Sequence, residues 1–423
     1  MYYKFIRTDP VHHSHSILEY RRSIVLQMIE ESCNRRSYNQ YVISRVIQSL
    51  QPILVIENMH GIFRFHFKNN NLQQTNKIII FFGVLLILLI ILCNIGCFTY
   101  NCDTRILRFS DSQLYKILSN LPNSFVLFQY CTLVIVTSIV LSKANVSMIE
   151  HIAKVDSKLI TIWPDDFYKT TKYHNILAVA AVVFVNMSFS LYDYMTGALG
   201  FLALVVDYVT YLAHTLDTIV FTLIMLMVKR RLHIINCHLV KIIHKKDIAK
   251  PKPVLNIQQI IRQLPSTTLR ELSFAYNTIG ELCCLVNDIF KFQILCSLII
   301  TFLYIITTLS SLIHSIRNQK IEDVLITELL WCICEVCTIV LMALVCESLL
   351  RARGETRELV NELVMDYELP ATARAQAKAF MRLLDAYTLR VHVYDIVSID
   401  ITFVVKFISF TTTYLILIIQ MFM

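Results

Sequence analysis

Seven stretches of this 423-residue chain are apolar and long enough to cross a bilayer, and they decide the fold class before any other feature is read. They lie near residues 78–98, 125–141, 176–192, 205–228, 294–313, 325–345 and 402–422. A hydrocarbon core of ~30 Å takes ~20 helical residues to cross. Inside it every backbone N–H and C=O must be satisfied within the segment, so these stretches read as helices. The hydrophobic fraction of 56% exceeds the ~45–50% of soluble chains. The fold class expected is therefore an all-α membrane protein, a seven-transmembrane helix bundle. The fourth segment is the weakest, because Asp207, His214 and Asp217 interrupt it. No early apolar core precedes a cleavage site, so no signal peptide is read in the first 77 residues.

Positive charge sets the orientation. Lys and Arg crowd into residues 1–77 and into the loops after segments two, four and six. The alternate loops hold only Arg105, Arg108, Lys116, Arg317 and Lys320. Cytoplasmic loops carry the excess of Lys and Arg. The N-terminus is therefore expected inside and the C-terminus outside, and the net charge of +8 reflects that bias rather than nucleic-acid binding.

Four regions follow along the chain. Residues 1–77 read as a cytoplasmic tail closed by an amphipathic helix, 47–66, at the membrane surface. Residues 78–345 hold segments one to six with cytoplasmic helical extensions, and 346–401 hold anchor helices broken at Pro370. Residues 402–423 form the last segment. From 269 to 313 there is no proline and a single glycine, Gly280. One helix over those residues is about 67 Å long at ~1.5 Å per residue, so roughly half of it projects into the cytoplasm. Residues 148–161 also read as helical.

No GxSxG, HExxH, Walker loop or GxGxxG occurs, and seven glycines leave few phosphate-cradling loops. The chain is not read as an enzyme, and neither cofactor nor metal is expected. His12, His13 and His15 fit a solvated tail better than a metal site, and the thirteen cysteines read mainly as packing residues. A Cys97–Cys102 bridge at the outer face is the exception that spacing allows.

The outer ends of the segments carry aromatic and polar residues at matching depth. Tyr192 closes segment three, while Asp207, Tyr208 and Tyr211 open segment four. Tyr304 and Thr308 end segment five, and Glu328 and Trp331 begin segment six. Aromatic walls with a few placed polar groups are what a small-molecule pocket needs. An interfacial aromatic belt, or a structural network joining Asp207, His214 and Glu335, is the alternative.

In segment seven Lys406, Ser409, Thr413 and Gln420 share one helical face with Ile416 and Leu417. A polar stripe on an apolar helix suits the lining of a water-filled path. A polar seam against a neighbouring helix of the same subunit is the alternative. Lys406 would repel a permeant cation, so it is expected to point aside or to pair with Asp400.

At these residues the chain resembles the insect gustatory receptor family, whose last helix ends in Thr-Tyr, five hydrophobic residues, Gln and Phe. Thr413, Tyr414, residues 415–419 and Gln420 match, and Met421 replaces the Phe. LQPILVIENMHGIF at 50–63 and VYDIVSID at 393–400 are similar to other family segments. The resemblance implies a tastant-gated, non-selective cation channel in the plasma membrane of gustatory neurons. It implies a homo- or heterotetramer in the bilayer whose last helices line a central pore. Gln420 and Met421 would sit at the gate, with Thr413, Ile416 and Leu417 along the lining, and a small-molecule tastant would bind within each subunit. Sugar-sensing members resemble one another in a Glu after Thr-Tyr. Leu415 stands there in this chain, which leans toward bitter plant compounds. A metabotropic seven-helix chemoreceptor or a transporter is the alternative.

Overall fold

The computed structural model describes residues 38–68, 71–99, 113–159, 164–195, 200–244, 268–318 and 323–422, and among these the fold is nearly all helix. Helix α1 covers 38–59 and leads through the short hairpin β1 (His66–Lys68) and β2 (Asn71–Gln73) into α2 (Lys77–Thr99). Helix α3 (Gln113–Ile135) ends in a π-turn (Val136–Val140) and is followed by α4 (Ser142–Leu159). Then come α5 (Pro164–Met195), α6 (Phe201–His244), α7 (Leu269–Asn318) and α8 (Asp323–Met365). Helix α9 (Ala371–Ala386), a second hairpin of β3 (His392–Val393) and β4 (Val397–Ser398), and α10 (Ile401–Phe422) complete the chain. Each apolar stretch of the sequence falls on its own helix: α2, α3, α5, α6, α7, α8 and α10. His12, His13, His15 and Cys102 lie outside the described residues, while Cys97 is buried.

The segment weakest by composition is the axis of the bundle. In α6 the apolar window is 83% buried, against 17% in the lipid-facing α2. Helices α3, α5, α7 and α8 all pack on α6. Its polar side chains are tolerable because other helices supply partners, as intramembrane polar groups require. Asp217 meets Arg64, whose guanidinium lies 2.9 Å from Asp217 Oδ1 and 2.6 Å from Glu57 Oε1, with all three side chains buried. Arg64 also sits over the Phe290 ring at 5.0 Å.

That contact revises the picture of the N-terminal amphipathic helix. Val42, Val46, Leu50 and Ile53 recur at helical spacing and are buried in the main core with α4, α6 and α7. The helix already covers residue 38, earlier than expected, and runs to 59. Gly61, at φ +77°, turns the chain back against α2, where a side chain at Gly83 would stand 3.0 Å from the Gly61 carbonyl. The turn lets Arg64 reach back to Glu57, and the segment's apolar face packs into the bundle. Tyr130 of α3 fixes the same turn by donating to the His60 carbonyl at 3.0 Å.

The inner half is as helical as expected. At about 1.5 Å per residue the 50 residues of α7 extend about 75 Å, well beyond the hydrocarbon core. Its inner portion packs against α4, α8 and α9. Arg231 of α6, wholly buried, grips Asp156 of α4 at 2.6 Å, and Tyr168 of α5 donates to the same carboxylate at 2.7 Å. Tyr387, after α9, lays its ring directly on Gly280 of α7. Tyr276 and Arg353 both donate to the Tyr387 carbonyl, at 2.9 and 3.2 Å. The glycine kept in this long helix is thus a seat for an aromatic ring.

The second hairpin aims the last helix. Tyr394 and Asp395 are both left-handed, at φ 50° and 57°, and the Ile396 N–H donates to the Val393 carbonyl, the pattern of a type I′ turn. Asp400 then caps α10, accepting the Phe403 N–H at 2.9 Å while Ser398 Oγ donates to its other oxygen at 3.1 Å. Capping therefore occupies Asp400. Lys406 is exposed and, among the described residues, makes no ion pair with it.

Candidate functional site

Three of the pocket residues read from sequence converge. Tyr211 of α6, Tyr304 of α7 and Trp331 of α8 are buried together with Val126 and Ile300. The Tyr211 ring lies 4.9 Å from Trp331 and 6.0 Å from Tyr304, and Phe189 of α5 meets Trp331 edge-on at 5.2 Å. Tilted and edge-to-face arrangements at these separations are favourable aromatic pairings. The Tyr211 hydroxyl donates to Asn123 Oδ1 of α3 at 2.6 Å. Five helices thus contribute to one aromatic cage.

The remaining candidates surround it unevenly. Thr308 is buried and directs its hydroxyl to the backbone carbonyl of Glu328 at 3.4 Å. Glu328 precedes Trp331 by three positions on α8, so both fall on one face. Asp207 and Tyr208 are partly buried near the outer end of α6, and Tyr192 is 40% exposed.

One helical turn inward the contacts change from aromatic to hydrogen-bonding. His214 Nδ1 is 2.8 Å from Gln129 Oε1, and its Nε2 is 3.1 Å from Glu335 Oε2. Gln129 donates onward to Ser297 at 3.4 Å, Ser297 pairs with Thr218 at 3.2 Å, and Thr301 donates to Glu335 at 3.4 Å. The network read from sequence therefore includes His214 and Glu335. Asp207, seven positions earlier on α6, stands about 10 Å further out along the axis. Asn123, Gln129 and Phe189 were missed: Gln129 is a lone polar residue in an apolar run, Asn123 lies in the polar stretch before it and Phe189 stands between two serines, with no periodic signal to single any of them out.

Helix α10 is differently placed. Phe403, Val404 and Thr411 are buried and Phe407 is partly buried, a narrow stripe against the bundle. Lys406, Ser409, Thr413, Ile416 and Gln420 are all exposed in the single chain. The polar stripe faces away from its own subunit, which removes the intrasubunit seam as its explanation. The side chains of Leu417 and Met421 lie outside the described residues. Among the described residues no group of His, Cys, Asp and Glu has the arrangement of a metal site.

A family profile described as 7tm Chemosensory receptor matches residues 50–422, nearly the whole chain. The chain belongs to the 7tm chemosensory receptor family. In overall fold it is similar to the insect olfactory receptor OR5 from Machilis hrabei, with a TM-score of 0.59 and 12% identity over 88% of this chain and 97% of that one. The structure of that receptor in complex with eugenol matches with a TM-score of 0.56 and 13% identity, covering 90% of this chain and 99% of that one. Comparison with curated proteins gave no match. The chain is thus a multi-pass membrane protein with a chemoreceptor fold, and its family is not one of enzymes.

Proposed function

We propose that this chemosensory receptor is a tastant-gated, non-selective cation channel of the gustatory type, assembled as a tetramer in the plasma membrane of gustatory neurons. The observation that carries the reading is the exposed polar stripe of α10, from Ser409 through Thr413 to Gln420. A Gln near the outer end of a membrane helix is costly against lipid and is satisfied by water or protein. Four such stripes around an axis would enclose a wet path, with Gln420 and Met421 at its outer constriction and Thr413, Ile416 and Leu417 along it. The last helix's Thr-Tyr…Gln ending favours the gustatory over the olfactory branch.

The ligand site of the proposal is the cage of Tyr211, Tyr304 and Trp331, opening outward past Asp207, Tyr208, Thr308 and Glu328. Support comes from the similar fold of a receptor solved with eugenol, a small molecule. The cage's aromatic walls suit apolar, ring-bearing plant compounds better than sugars. A ligand favours opening only as far as it binds the open state better. Moving a 1:99 equilibrium to 99:1 takes a preference of about 10⁴-fold.

The decisive experiment records from cells expressing the full chain alone while panels of sugars and bitter plant compounds are applied. A compound-evoked cation current that survives G-protein blockade, and whose ion selectivity shifts on Gln420→Ala, is the expected result. A current that requires G-protein signalling would establish the metabotropic alternative.

A further inference from the structure

Helix α7 touches both parts of this proposed machine, on opposite sides. Its inward residues Ile300, Thr301 and Tyr304 belong to the cage and to the network beneath it. Phe302 is two positions from both Ile300 and Tyr304, about 200° around the helix at ~100° per residue. It points to the other side, where α10 lies. There its ring meets Phe410 at 5.3 Å and Tyr414 at 5.5 Å, and Phe410 and Tyr414 meet each other at 4.7 Å. Three rings from two helices form a closed triangle.

The position of this triangle along α10 matters as much as its geometry. Buried Phe403, Val404 and Thr411 hold the inner half of α10 to the bundle. Phe410 is 50% and Tyr414 41% exposed, and the Phe302 ring is one that both of them meet. Tyr414 precedes Gln420 by six residues, less than two turns, and Thr413 beside it carries the polar stripe. An axial or rotational shift of α7 at Tyr304 therefore has a direct route to the outer part of α10 through the Phe302 ring.

We infer that Phe302 is the coupling residue of the receptor, transmitting occupancy of the aromatic cage through Phe410 and Tyr414 to the terminal helix. The inference rests on the channel reading given above. Phe302 touches neither the cage interior nor the ion path, so it is a positioning residue. Its replacement should change how occupancy is converted into opening, while leaving the cage and the pore lining in place. Aromatic pairs hold about 0.5–1.5 kcal/mol beyond their area. Losing the two that Phe302 makes corresponds to a change of roughly 5- to 160-fold in the balance they bias.

The test uses the full chain at matched surface density, recorded without ligand and with eugenol, quinine and denatonium as probes. Phe302→Ala is expected to change both the ligand-free cation current and the maximal probe-evoked current per channel by at least fivefold. The probe concentration giving half-maximal thermal stabilisation of the purified protein should stay within twofold. Phe302→Tyr, which keeps the ring, should restore the wild-type ratio of current to binding. Tyr414→Ala should reproduce the defect, and the double variant should be no worse than the larger single one, the signature of two groups acting through one contact. Wild-type currents per channel from Phe302→Ala would overturn the inference while leaving the channel reading intact. So would a loss confined to surface expression and thermal stability, or fully additive effects in the double variant. Absence of cation current from the wild type and every variant, with or without probe, would overturn both; a wild-type current sensitive to Gln420→Ala but indifferent to Phe302 would overturn this one alone.

Discussion

Removing Arg64 tests how the bundle tolerates charge at its centre. Arg64 donates to Glu57 from Nε at 2.9 and 3.0 Å and from Nη2 at 2.6 Å, and to Asp217 at 2.9 Å, with all three side chains at most 3% exposed. Arg64→Met leaves two buried carboxylates without their counter-charge, and breaking such a pair on one side costs about 3–5 kcal/mol. Unfolding entropy of about 2.1 cal/mol/K per residue gives about 0.9 kcal/mol/K for 423 residues. The midpoint of thermal unfolding should therefore fall by about 3–6 °C, read by fluorescence-detected gel filtration of heated detergent extracts. Arg64→Lys should recover only part, because an ammonium cannot grip both carboxylates as a planar fork does. The triple variant Glu57→Gln, Arg64→Met, Asp217→Asn should recover most of the loss, since no charge is then stranded. A fall of less than 1 °C for Arg64→Met, or a triple variant less stable than the single, would refute the reasoning.

Other outcomes follow from other parts of the structure. Gln420→Ala should alter relative permeability to sodium, potassium and calcium at unchanged surface expression; identical permeability ratios would remove it from the gate. Gly280→Ala places a methyl group in the Tyr387 ring and should lower stability by about 1–3 kcal/mol, with recovery in Gly280→Ala combined with Tyr387→Ala. Burial holds the His60 imidazole below its ordinary value, against the pull of the Ile56 carbonyl and Glu57. A histidine lowered in the fold stabilises above the unfolded value near 6.5 and loses that contribution as pH falls through it. Thermal stability should thus drop between pH 7.5 and 5.5 by more in wild type than in His60→Gln, and equal drops would show that His60 contributes nothing. Asp207→Ala should shift ligand potency more than maximal current; the reverse pattern would place Asp207 in the gating network.

The helical skeleton was legible because membrane spans follow simple rules of length and backbone satisfaction, and the long α7 because nothing between 269 and 313 can break a helix. The stripe on α10 was legible for a related reason: it is local, and 3.6-residue periodicity reads it directly. Asp217 and His214 were misleading when weighed as interruptions of one segment. Their cost is cancelled by Arg64, Gln129 and Glu335, which are 153, 85 and 121 residues away, and no local rule reports such partners. The cage was half legible. Tyr211, Tyr304 and Trp331 stood out by type and depth, but Phe189 and Asn123 join only through helix packing. The two hairpins escaped notice because three- and two-residue strands carry too little alternation to register, and one of them turns on left-handed Tyr394 and Asp395 instead of glycine.

The ion pair between Arg64 and Asp217 also imposes a sequence of events on the ribosome-bound chain. Arg64 emerges 153 residues before its second carboxylate. At about 5–20 residues per second, that is a wait of roughly 8–30 s. During that interval α2, α3 and α5 are made one after another, yet the helix that carries the second carboxylate is still missing. The N-terminal segment's ion pair is therefore completed only once α6 has arrived, so an early part of the chain waits for a later one to fix its place.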